Sequence, residues 1–207
     1  MSGKRIHRQI GKGRAKTSPS EQPVIRNPEL FPAFVYLSGL GADEKRLRGM
    51  KAFETLKTLG YRVDIDRPPG GMFTIRSPET VIFIGFTPFD DQGDWLRSLR
   101  SDPRVVLIMD CHFPISDTTE IVVEGPLEKH VAAVDAIPVA LTNLALADAV
   151  TVPNGEWAAD LTASNPDLNV FVLPDLTKSG DVDQFLLNFT EVLAAARPTA
   201  HKRWKVD

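Results

Sequence analysis

The stretch Val81-Ile82-Phe83-Ile84-Gly85-Phe86 decides how this chain is read. Five bulky apolar residues follow one another around one glycine, with none of the polar alternation of a half-exposed strand. A strand of this kind is covered on both faces, as the central strands of parallel sheets are. Working outward, Val105-Val106-Leu107-Ile108-Met109 repeats the pattern, and Phe34-Val35-Tyr36-Leu37, Ala149-Val150-Thr151-Val152 and Val170-Phe171-Val172-Leu173 are shorter runs of the same type. Arg62-Val63-Asp64-Ile65 is a further strand, and Phe73-Thr74-Ile75 a short one beyond the turn Pro68-Pro69-Gly70-Gly71.

Between these runs lie amphipathic segments. Leu47, Met50, Phe53, Leu56 and Leu59 recur at near-helical spacing until Gly60, which predicts a helix with a C-terminal glycine cap. Trp95, Leu96 and Leu99 mark a second helix. The stretch from about Leu127 to Ala147 is helical with an interruption at Pro138. Asn154 is placed to cap a helix carrying Trp157 and Leu161, and Val182, Phe185, Leu186, Phe189, Val192 and Leu193 form the apolar face of a closing helix. Strands alternating with helices predict an α/β fold: one Rossmann-like domain whose mostly parallel sheet has about six or seven strands, with helices on both faces.

Length supports one domain, since 207 residues build one full core, and 43% hydrophobic with 25% charged residues is the composition of a globular chain. The expected organisation is a basic, flexible leader over residues 1–32, the domain over 33–196 and a basic tail over 197–207. The leader holds Lys4, Arg5, Arg8, Lys12, Arg14 and Lys16 and no acid before Glu21. Removing those six from 24 basic residues leaves 18 against 27 acidic, so the rest of the chain carries about -9. An acidic body argues against a duplex-binding face. It leaves residues 1–16 as an arm for an acidic partner or nucleic acid, or as a solvated leader. No run approaches the ~20 apolar residues of a membrane span, and no secretory signal opens the chain, which leads to the expectation of a cytoplasmic protein. Cys111 is the single cysteine, so an intramolecular disulfide and a cysteine metal cluster are both excluded, and no metal site is expected.

Ligands of parallel sheets bind beyond the carboxyl ends of the strands, which selects the loops to read. Ser38-Gly39-Leu40-Gly41-Ala42-Asp43 follows the first strand, where backbone amides and a helix N-terminus can hold an anion such as phosphate. It lacks the third glycine of the dinucleotide fingerprint and the Gly-Lys-Ser/Thr ending of a P-loop. A tight turn with Asp43 as helix cap is the alternative. Asp110, Cys111 and His112 end a central strand and are expected near the same crevice. His112 there can carry a proton or donate a hydrogen bond to a polar ligand, or be satisfied by loop backbone. Cys111 reads as an inert small hydrophobe rather than a nucleophile. Asp64 and Asp66 stand where a ribose would be held but read equally as solvated acids. Asp90, Asp91 and Asp94 suit a helix N-terminus without any metal, and His130 is surface or core filler.

The order of these pieces, from about Phe34 to Asp175, resembles the N-terminal, acceptor-side half of retaining GT-B glycosyltransferases. Three places carry the likeness: the glycine loop with Glu44-Lys45-Arg46 and the helix ending Leu59-Gly60-Tyr61-Arg62-Val63; the strand ending Asp110-Cys111-His112; and Ala147-Asp148-Ala149-Val150-Thr151-Val152-Pro153-Asn154-Gly155-Glu156-Trp157 followed by Asn169-Val170-Phe171-Val172-Leu173-Pro174-Asp175. The resemblance implies that Gly39 and Gly41 approach donor phosphates or the reacting sugar. It implies that His112, with Asp110, serves catalysis in the cleft, and that Asp43, Asn154 and Glu156 contact ligand. A second domain supplies most of the nucleotide-sugar site in such enzymes. The implied partners are therefore a separate donor-binding domain or a second copy, with a nucleotide-sugar donor and no resident cofactor. The competing expectation is a non-catalytic Rossmann-like binding or scaffold module anchored through its basic N-terminal arm.

Overall fold

The computed structural model describes residues 27–37, 49–66, 73–85, 93–111, 138–174 and 182–203. The strands are β1 (Ala33–Leu37), β2 (Val63–Asp66), β3 (Thr80–Ile84), β4 (Val105–Asp110), β5 (Ala149–Val152) and β6 (Val170–Val172). The helices are α1 (Met50–Thr58), α2 (Gly93–Ser101), α3 (described over 138–144), α4 (Gly155–Ser164) and α5 (Val182–Arg203). All six strands are parallel, in the order β2-β1-β3-β4-β5-β6. The chain winds from β1 out to β2, then returns past β1 to β3 and proceeds the other way. The winding therefore reverses between β1 and β3, the switch point beside which such sheets hold their ligands.

Every residue of β1, β3, β4 and β5 is buried, which is why their sequences do not alternate. The pleat still divides them between two layers. Phe34, Tyr36, Phe83 and Ile108 face α1 and α5, where they meet Phe53 and Phe189. Val35, Leu37, Ile82, Ile84, Leu107 and Met109 belong to the opposite layer, covered by α2, α3 and α4.

Local chemistry sets the element ends. Gly60 has φ 96, and the Gly60 and Tyr61 amides donate to the carbonyls of Lys57 and Leu56, a Schellman closure of α1. Gly49 starts α1 at φ 79, and a Cβ there would lie 2.6 Å from the Phe185 ring. Both the left-handed backbone and the approach of α5 require glycine at this point. β5 begins level with the fourth residue of β4, since Ala149 pairs with Ile108. The preceding Asp148 extends the ladder: its N–H donates to the Leu107 carbonyl at 2.7 Å, and its fully buried carboxyl accepts from the Leu107 N–H at 2.9 Å.

Two features differ from the expectation. Phe73-Thr74-Ile75 is no strand. Phe73 and Ile75 pack on the α2–α4 layer, while the Thr80 hydroxyl engages both the N–H and the carbonyl of Arg76, turning the chain back toward β3. The closing helix is longer than its large apolar residues indicate, running through 197–203 where a tail was expected. Ala196 and Ala200 are fully buried and continue the apolar face, Pro198 lies on the exposed side, and Arg197 forms an ion pair with Glu79 at 2.8 Å. At the other end of the domain, Phe31 of the expected leader packs edge-on against Tyr61 at 5.8 Å, and its carbonyl accepts from Arg62.

Candidate functional site

Because every strand runs the same way, the six carboxyl ends form one edge. Leu37 ends β1 and Asp110 ends β4, with β3 between them. At the usual strand spacing those two ends lie about 10 Å apart. The chain thus enters the stretches holding Gly39 and His112 from the same edge, on either side of β3. Gly39, Gly41, Asp43 and His112 lie outside the described residues, as do Asp90, Asp91 and His130.

Asp110 is the last residue of β4 and stands at that edge. It has no exposed surface and sits on the α1/α5 side of the sheet, where the alternation from Val106 and Ile108 directs it. Its register partner on β5 is Thr151, also fully buried, whose hydroxyl donates to Asp110 Oδ1 at 2.7 Å. Carboxyl and hydroxyl are drawn together at the head of a layer that is otherwise aromatic and aliphatic. Sequence reading passed over Thr151, because its pairing with Asp110 is visible only once β4 and β5 are aligned.

Tyr36 and Gly85 belong to the same neighbourhood. Tyr36 stacks on its register partner Phe83 with ring centres 5.7 Å apart, and its hydroxyl reaches past that ring toward Gly85. A Cβ added at Gly85 would stand 2.5 Å from Tyr36 Oη. Gly85 follows Ile84, the partner of Met109, and is therefore level with Asp110. Glycine here is a clearance for the tyrosine hydroxyl.

Other candidates are separated from this group. Cys111 faces the opposite layer, among Val152, Met109 and other aliphatic residues, so it does not share Asp110's surroundings. Its N–H donates to the Thr151 carbonyl at 2.8 Å, continuing the ladder beyond β4. α1 takes Gly49, not Asp43, as its N-cap, since the left-handed backbone of Gly49 breaks the helix there. Asn154 caps α4 as the sequence indicates: its Oδ1 accepts from the Trp157 N–H at 2.9 Å. Glu156 is exposed in the first turn of the same helix, where a carboxylate complements the helix dipole. Asp64 lies 3.9 Å from Arg76, and Asp94 pairs with Arg97 at 2.8 Å on α2. Among the described residues no group of three His, Cys, Asp or Glu side chains is placed to hold a metal ion, and no helix is long and apolar enough to cross a membrane.

Compared with protein-family models, with curated proteins and with solved structures, the chain has no match.

Proposed function

We propose that this chain handles a sugar at the carboxyl edge of its sheet, as the acceptor-side half of a glycosyl-transfer unit whose donor site is held by a partner domain or a second copy. The observation that carries the reading is the common edge from which the chain enters the stretches of Gly39 and His112, with the buried carboxyl of Asp110 beside it. In this reading Gly39, Gly41 and Asp43 border the phosphates or the reacting sugar of a nucleotide-sugar. His112 carries a proton or hydrogen-bonds the sugar, next to Asp110. Asn154 and Glu156 border the ligand from the head of α4. Isothermal titration with UDP-glucose, UDP-N-acetylglucosamine and GDP-mannose, on the chain alone and with candidate partner proteins, tests it. Saturable binding weakened by His112→Ala is expected. No binding in any combination, with the variant indistinguishable from wild type, removes the reading.

The charge asymmetry favours a second reading, a non-catalytic module anchored through residues 1–16 to an acidic partner or nucleic acid. Deleting residues 1–16 discriminates. Lost association with an unchanged thermal midpoint supports anchoring, and unchanged association argues against it.

A further inference from the structure

The two edges of the sheet are guarded differently. β2, at one edge, alternates Val63-Asp64-Ile65-Asp66, and a charge at every second position deters a further strand. β6, at the other, reads Val170-Phe171-Val172 with neither charge nor proline, and Val172 is 42% exposed. Among the described residues no strand lies beyond it. Its ladder with β5 uses alternate residues: the Val150 N–H donates to the Asn169 carbonyl, and the Leu173 N–H to the Val152 carbonyl. By the alternation of a parallel ladder Phe171 also bonds to β5, whereas the N–H and carbonyl groups of Val170 and Val172 point away from it, along the outer edge.

The rim of that edge is acidic. Residues 138–174 hold Asp148, Glu156, Asp160 and Asp167 and no lysine, arginine or histidine. Asp148 is buried, but Glu156 is exposed and Asp160 half-buried on α4, which lies against β6, and Asp167 is exposed in the turn that joins the two. The opposite charge is concentrated at the start of the chain. Lys4-Arg5-Ile6-His7-Arg8-Gln9-Ile10 is the longest stretch of residues 1–26 that joins β-branched residues and bases without glycine or proline. The sixteen residues 11–26 connect it to Asn27 and reach up to about 50 Å when extended. β6 stands four strand spacings from β1, about 19 Å.

We propose that residues 4–10 dock on the outer edge of β6 of the same chain as an added strand, paired through Val170 and Val172 and held by the acidic rim. Two outward-facing residues offer few ladder bonds, so the backbone pairing alone is weak and the opposite charges select this segment over other extended peptides. Laid as a strand, the segment places Arg5 and His7 on one face and Ile6, Arg8 and Ile10 on the other, which brings basic groups to both sides of the sheet. The inference stands apart from the sugar-handling reading, and it directs the basic arm to this chain's own surface in place of an external anchor.

Amide hydrogen exchange of the full chain, read residue by residue, tests it on wild type, Arg5→Glu with Arg8→Glu, Asp160→Lys with Asp167→Lys, and all four substitutions together. Each pair of charge reversals is expected to speed exchange at Val170 and Val172 about tenfold, while Phe171 and the β3 amides stay within about twofold of wild type. Sodium chloride at about 0.5 M is expected to act on wild type as the reversals do. The combined variant, in which the charges are exchanged, is expected to regain most of the wild-type protection. Exchange at Val170 and Val172 that is the same in wild type and in Arg5→Glu with Arg8→Glu overturns the proposal. Acceleration spread evenly over β3, β4 and β6 also overturns it, since that reports a loss of global stability. Protection that rises with chain concentration assigns the arm to a second copy and overturns docking within one chain.

Discussion

The two faces of the sheet are built from different materials. Toward α1 and α5 the layer is aromatic: Phe53 meets Phe83 at 5.5 Å and Phe189 at 5.4 Å between ring centres, and Phe83 meets Phe189 at 5.7 Å. Toward α2, α3 and α4 it is aliphatic, with Val35, Ile82, Ile84, Leu96 and Leu107 interdigitating. A few large rings in mutual contact make an assembly in which each member has no substitute, whereas many branched side chains share the filling of space. The polar row at the carboxyl edge also belongs to the aromatic side.

Phe83→Ala is the most direct way to break the aromatic layer, and a loss of about 4 kcal/mol is expected in denaturant unfolding. On the other face Leu107→Ala should cost about 3 kcal/mol by the same measurement, because aliphatic neighbours collapse further into the gap. A cost for Leu107→Ala well above that of Phe83→Ala would reverse the contrast. Phe53→Leu combined with Phe83→Leu sharpens it: the pair should be non-additive by about 1 kcal/mol in a double-mutant cycle, and strict additivity would mean that the rings act singly. Asn154→Ala removes the cap of α4, on the aliphatic side, and should lower stability by about 1 kcal/mol without altering the aromatic layer's near-ultraviolet dichroism. The smallest effect concerns pH. The hydrogen bond from the Arg104 side chain holds the Asp102 carboxyl below its ordinary range. A carboxyl depressed in the folded state contributes stability that is present above about pH 4, the unfolded carboxylate range, and is lost as pH falls through the folded value. Arg104→Ala should flatten that part of the acid-unfolding profile and lower stability slightly near neutrality, with the difference from wild type vanishing as the carboxyl is protonated in acid.

Much of this arrangement was legible because burial on both faces leaves a plain mark. Unbroken runs such as Val81–Ile84 and Val105–Met109 identify central strands, Gly60 announces the end of α1, and Asn154 announces the start of α4. Weaker signals misled where tertiary contacts decide. Phe73 and Ile75 alternate as a strand would, yet they serve as packing for a neighbouring layer. Ala196 and Ala200 continue the face of α5, but small residues and Pro198 obscure the periodicity. In the candidate site, Asp110 was readable from its position at a strand end, whereas Thr151, Gly85 and Tyr36 were not. Their relation is a matter of register, and register is a property of paired strands rather than of any one of them.

Asp148 gives that register a guardian at the far end of β5. By both giving and receiving a hydrogen bond at Leu107, it locks one alignment of β5 on β4. A slip by a single residue would send Thr151 through to the aliphatic side and strand Asp110 among hydrocarbons. The meeting of Thr151 with Asp110 at the carboxyl end of β5 is thus held in place by a carboxyl group at the amino end of the same strand.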